Sequence, residues 1–242
     1  MSTYLPVGVF DSGVGGFSVV RAMRALLPQL DIFYVADSAH APYGSKPPEY
    51  VRQRASHITR FLLEQGVAAI VVACNTATAM AVDQLREQFE VPIVAMEPAV
   101  KPAVAATRSG VIGVLATAGT LESVRYRQLL ARHGSQVQVL GRVCHHWVEL
   151  VESGALHSGA ARELVSAEVL PLLQAGADTL VLGCTHFPFL APLIRERVIE
   201  IVDGLPIGDT FDWVARVPTE AASGVLAPHI DVPYGSTAQP PT

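Results

Sequence analysis

Apolar residues fall along the chain in short unbroken runs. They cover residues 7–10, 32–36, 69–73, 92–95, 111–115, 137–140, 179–182 and 200–202, with Val and Ile prominent, although 137–140 admits Gln138 and 200–202 begins on Glu200. Unbroken runs of this length suit strands buried on both faces, as in a parallel sheet. Segments with helical spacing lie between them. Residues 51–64 form one, with His57, Ile58, Phe61 and Leu62 on or near one face, and residues 78–89, 123–133 and 160–175 form others. The alternation predicts an α/β fold with crossover helices.

The pattern also echoes itself. Val7-Gly8-Val9-Phe10-Asp11-Ser12 resembles Ile112-Gly113-Val114-Leu115-Ala116-Thr117 at an offset of 105 residues, and the stretch from Ala69 to Thr76 resembles that from Thr179 to His186 at an offset of 110. Two strand-then-turn units recurring in the same order predict two related α/β halves. A hinge is expected at residues 98–102, and the chain beyond residue 202 is expected to return to the first half, with a candidate helix at 209–216. The expected domains are residues 1–97 plus 208–242, and 98–207. The Pro-, Gly-, Ser- and Thr-rich end, residues 228–242, is expected to be loosely ordered.

Composition narrows the function. The chain has 242 residues, 50% hydrophobic and 16% charged, enough for one or two domains. A formal net charge of -5 without a basic run argues against nucleic acid and anionic membranes. No apolar stretch approaches the roughly 20 residues a bilayer span needs. Asp11 interrupts the first apolar segment, so no secretory leader is read, and a cytoplasmic protein is expected. Three cysteines, Cys74, Cys144 and Cys184, then suit core positions, catalytic thiols or ligands better than disulfides.

Sites in open α/β sheets form at the C-terminal ends of strands. Cys74 and Cys184 both stand there, each before a segment able to begin a helix, where the dipole is expected to lower a thiol's pKa. Small buried core cysteines are the plain alternative. Two opposed thiols can invert a stereocentre, one taking a proton from a carbon and the other returning one to its opposite face. Asp11 and Ser12, with the glycines after them, either orient a thiol or cap a helix. The run is neither a P-loop nor G-x-G-x-x-G, so nucleotides are set aside. His186 either tunes Cys184 or sits at the surface. Asn75, Thr76, Thr117 and Thr120 offer hydrogen bonds for a carboxylate or serve as caps. Tyr43 faces a pocket or packs, and Glu152 reads as a surface residue ending a helix. Cys144-His145-His146 and Cys184-Thr185-His186 match zinc spacings poorly, so no metal is expected.

Five blocks together resemble the glutamate racemase family: VGVFDSGVGGFS at 7–18, ADSAHAPYGSK at 36–46, ACNTAT at 73–78, MEPAV at 96–100 and LGCTHFP at 182–188. The resemblance covers residues 6–216 or so. It implies two pseudo-symmetric three-layer α/β domains with mostly parallel sheets and the active site in the cleft between them. It implies a pyridoxal-phosphate-independent enzyme, with no cofactor, that interconverts L- and D-glutamate for peptidoglycan, commonly as a homodimer. Cys74 would remove the proton of D-glutamate and Cys184 that of L-glutamate. Asp11 would assist Cys74 and His186 would assist Cys184, with Glu152 beside His186. Asp11, Ser12, Tyr43, Gly44, Asn75, Thr76, Thr117, Thr120 and Thr185 match substrate-contacting positions. Cys144-His145-His146-Trp147-Val148 departs from the family's Cys-Pro-x-Phe-Val. An aspartate racemase of the same superfamily, or a non-catalytic dicarboxylate-binding module, is the alternative.

Overall fold

The computed structural model describes residues 5–204 and 229–231. The first strands are β1 (Val7–Asp11), β2 (Ile32–Ala36), β3 (Ala69–Val72) and β4 (Ile93–Glu97), with helices α1 (Phe17–Leu26), α2 (Pro48–Glu64) and α3 (Asn75–Gln88) between them. Then come α4 (Val100–Ala106), β5 (Val111–Ala116), α5 (Ala118–Leu121), α6 (Val124–His133), β6 (Gln138–Val143), α7 (Trp147–Glu152), α8 (Gly159–Gln174), β7 (Thr179–Leu182), α9 (Ala191–Gly204) and β8 (His229–Asp231). One sheet has the order β2-β1-β3-β4-β8 and the other β6-β5-β7. All pairings are parallel except β4 with β8.

The inner strands β1, β3 and β5 are buried on both faces, which explains their unbroken apolar runs. Phe10, Ile70 and Val72 face α2 and α3, while Val9 and Val71 point the other way, towards Val19 of α1. In the second sheet Leu115 joins the core under α7, α8 and α9, and Ile112, Val114 and Val181 face α4 and α6. Side chains start the helices: Thr117, Ser123 and Ser158 each accept a backbone N–H three residues on.

The echo is a register. Val7 pairs with Ala69 and Phe10 with Val72, and their counterparts Ile112 with Thr179 and Leu115 with Leu182 pair identically. Even the bond past the strand end repeats: Ala73 N–H to Phe10 O at 2.9 Å matches Gly183 N–H to Leu115 O at 2.7 Å. Cys74 and Cys184, the next residues, therefore stand at equivalent places.

Two expectations need correction. Residues 200–202 are not a strand but lie in α9. Ile194, Val198 and Ile201 pack on one core at helical spacing, and that periodicity outweighs a short β-branched run. The expected hinge at 98–102 is mostly helix, because α4 begins at Val100 and takes Pro102 into its first turn, where no intrahelical N–H is needed. The candidate helix at 209–216 lies outside the described residues. Among the described residues no helix is long and apolar enough to cross a membrane.

Candidate active site

β1 ends on Asp11, and the loop after it begins with Ser12. Asp11 is fully buried. Its Oδ1 accepts from Gly13 N–H at 3.0 Å, and its Oδ2 accepts from the Thr185 hydroxyl, on the other half of the chain, at 2.8 Å. Burial raises its carboxyl above the ordinary range, partly offset by His186, whose Nδ1 lies 4.0 Å from Oδ1, and by the Gly13 and Thr185 bonds.

Cys74 lies two residues past β3 and caps α3, with its sulfur accepting Ala77 N–H at 3.4 Å and its thiol reaching Ser12 Oγ at 3.8 Å. Cys184 lies two residues past β7, 3.8 Å from His186 Nδ1. His186 Nε2 is 2.6 Å from Glu152 Oε1 and 3.3 Å from Gly15 N–H. Glu152 Oε1 also accepts Val14 N–H at 2.8 Å. Thus Glu152 is no free surface residue. It closes a line from the first loop through His186 to Cys184.

The thiols differ from expectation. Burial pushes Cys74 up to about 12, with Asp11 adding to it, and outweighs the bond from Ala77. Burial also raises Cys184, with the charges of Cys74 and Asp11 adding to it. The expected lowering by a helix dipole is overturned, because burial penalises a thiolate more than one helix end favours it. No α-helix starts directly after Cys184 either. A turn leads into a short 3₁₀ segment at Phe187–Leu190.

Hydroxyls meet across the halves beside Cys74. Thr76 Oγ1 lies 2.9 Å from Thr117 Oγ1 and 3.4 Å from Thr120 Oγ1, and the last two are 3.1 Å apart. All three residues are buried. Gly44 adjoins them so closely that a β-carbon would sit 2.6 Å from Thr117 Cβ. Asn75 is buried, its Nδ2 3.4 Å from Met96 O. Tyr43 does not turn its hydroxyl to this cluster: it donates to Asp37 Oδ2 at 2.6 Å, and Arg54 binds the same carboxylate at 2.9 and 2.7 Å. Asp37 stands at a strand end, the signal that found the cysteines. Arg54, seventeen residues on in a helix, carried no such signal. Among the described residues no group of three or more His, Cys, Asp and Glu is arranged to hold a metal ion.

The fold and the paired strand-end thiols define an amino-acid racemase, and the family model described as Asp/Glu/Hydantoin racemase matches residues 17–210. A glutamate racemase of Ectopseudomonas mendocina is 57% identical over 212 residues, 87% of this chain and 80% of that protein. The Bacillus anthracis glutamate racemase isoform RacE1 superposes with a TM-score of 0.74 at 33% identity, over 82% of this chain and 75% of that one. The Escherichia coli glutamate racemase, solved with L-glutamate and the activator UDP-MurNAc-ala, gives 0.72 at 36% identity over 88% and 80%. The chain belongs to the Asp/Glu/hydantoin racemases and, within them, to the glutamate racemase family.

Proposed function

We propose that this isomerase interconverts L- and D-glutamate without a cofactor, with Cys74 acting on the α-proton of D-glutamate and Cys184 on that of L-glutamate. The observation that carries the reading is the shared register, which stands two thiols at equivalent strand ends. One sulfur, as thiolate, takes the α-proton, and the other, as thiol, gives its proton to the opposite face. The two sulfurs exchange protonation states and Cα is inverted. Burial holds both sulfurs protonated, so the positive ammonium of the incoming amino acid favours the thiolate that starts the reaction.

Asp11 assists the Cys74 side, and His186, held by Glu152, assists the Cys184 side. Ser12, Asn75, Thr76, Thr117, Thr120 and Thr185 supply neutral donors for the two carboxylates. Tyr43 shapes the approach of Gly44 through its bond to Asp37. Residues 5–97 form the first domain and 98–204 the second; β8 joins the first through β4, and the rest of the stretch 208–242 expected to return there lies outside the described residues. The product D-glutamate serves peptidoglycan synthesis in the cytoplasm, and the enzyme works as a homodimer, a state that light scattering checks. The glutamate racemase relatives weigh against the aspartate alternative.

Heavy water tests the reading. Each glutamate enantiomer takes up α-deuterium with the intact protein, and neither Cys74→Ser nor Cys184→Ser sustains turnover. A wild-type protein that exchanges neither enantiomer removes the racemase reading.

A further inference from the structure

The peptide between Gly13 and Val14 is held from both sides. Its carbonyl accepts a hydrogen bond from the Tyr34 hydroxyl at 2.6 Å, and its N–H donates to Glu152 Oε1 at 2.8 Å. In a trans peptide these two groups point in opposite directions within one plane. A hydroxyl that fixes the carbonyl therefore also aims the N–H. Tyr34 belongs to β2, paired with Val9 of β1, so it holds the loop from the sheet and not from within the loop. Its ring packs on Phe17 with centroids 4.4 Å apart. A β-carbon at Gly16 would come within 2.6 Å of the hydroxyl, so the loop folds closely over the phenol. Burial, then the charges of Asp11, Cys74 and Glu152, disfavour the phenolate and keep Tyr34 a donor.

We propose that Tyr34 is a positioning residue for the Cys184 side of the reaction. It fixes the Gly13–Val14 peptide, the peptide aims its N–H at Glu152, and Glu152 holds His186 beside Cys184. Tyr34 itself touches no reacting group. The proposal rests on the roles given above to Cys184, His186 and Glu152. Without the hydroxyl the peptide is free to rotate, and Glu152 loses the donor that orients its carboxylate. The Cys74 side keeps its own contacts with Ser12 and Ala77, which do not pass through this peptide.

Tyr34→Phe keeps the ring and its packing on Phe17 and removes one hydrogen bond. Turnover falls about tenfold, the effect of losing one such bond in a polar relay. The deciding readout is the primary isotope effect with α-deuterated substrate, measured from each enantiomer. Slower proton transfer between Cys184 and Cα makes that step more rate-limiting. The isotope effect then rises from L-glutamate, where Cys184 abstracts, and falls from D-glutamate, where Cys74 abstracts. Glu152→Gln, run in parallel, gives the same asymmetry. Phe17→Leu disturbs the packing, keeps the hydroxyl and retains the wild-type isotope effects.

If Glu152→Gln shows the asymmetry and Tyr34→Phe does not, Tyr34 has no such role while the thiol assignment stands. If Phe17→Leu reproduces the asymmetry, the effect is general loop packing and the proposal falls. If Glu152→Gln shows none, the assignment of the Cys184 side falls and takes this proposal with it.

Discussion

His186 Nε2 and Glu152 Oε1 lie 2.6 Å apart, with Glu152 at the last position of α7 and His186 two residues past Cys184. The carboxylate restrains an imidazole that has few other partners on that nitrogen. Glu152→Gln keeps the shape and removes the charge, so kcat falls about 10- to 100-fold, the range for a hydrogen bond to a charged group. Circular dichroism and melting curves stay close to wild type. An unchanged kcat would separate Glu152 from the chemistry.

Gly13 tests the same contact sterically. A β-carbon there would lie 1.8 Å from Glu152 Oε1. Gly13→Ala therefore pushes the carboxylate off His186 and costs about as much activity as Glu152→Gln. In a Glu152→Ala background the same change costs little further, because the obstructed group is gone. A double-mutant cycle with additive losses contradicts this account.

The three threonines predict a different kinetic signature. Thr117→Val removes a hydroxyl that lies 2.9 Å from Thr76 and 3.1 Å from Thr120. Substrate binding loses about 1 kcal/mol, so KM rises about fivefold while kcat changes less. Steady-state kinetics in both directions measure the split. A kcat loss at constant KM would assign the threonines to proton transfer instead.

Asp37 gives an acid-side prediction. Burial alone would raise its carboxyl, but the hydrogen bonds from Arg54 and Tyr43, with the Arg54 charge, outweigh it and hold the group below 3.8. A lowered folded-state pKa contributes stability above the unfolded value, and that contribution disappears as pH falls through the folded value. Arg54→Met costs about 2 kcal/mol near neutrality. Urea titrations at falling pH show wild type and variant converging below about pH 3.8, the unfolded value. A constant difference down to pH 2 would place the loss in packing alone.

Cys74 supplies the alkaline counterpart. Its pKa is raised from 9.0 to about 12, so the stability it contributes is complete below 9.0 and is lost as pH rises towards 12. Melting temperatures fall across that window, and Cys74→Ala falls less steeply. In kinetics the same shift makes kcat/KM of the free enzyme keep rising with pH beyond neutrality. A plateau beginning near pH 7 would mean that the thiol ionises easily.

Residues 69–72 and 179–182 were legible as strands because both strands are largely buried and the runs are continuous. That the halves are related was legible from the echo, whose offsets of 105 and 110 differ by only five residues, and the shared register is what the structure adds. Residues 200–202 were not legible, because three β-branched or neighbouring positions say nothing of the helical phase set by Ile194 and Val198. Thiol ionisation is not legible for a related reason. A helix end is visible in a sequence, whereas complete burial is a property of the assembled halves. Glu152 and Tyr34 act across long separations, through Val14 and Gly13, and no local pattern announces either. An aromatic residue within an apolar strand reads as core until its hydroxyl has an address.

The strand register and the two cysteines repeat between the halves, but the side chains at the neighbouring strand ends do not. Asp11 corresponds to Ala116, and Asp37, whose N–H bonds to Asp11 O, corresponds to Cys144, whose N–H bonds to Ala116 O. The mirror images of a substrate have equal free energy in water, so a catalyst of their exchange has an equilibrium constant of one. That equality forces kcat/KM to be the same in both directions, however unlike the groups behind the two sulfurs. The difference between the ends therefore surfaces only in kcat and KM taken separately. One enantiomer saturates the enzyme sooner and turns over more slowly, in strict proportion.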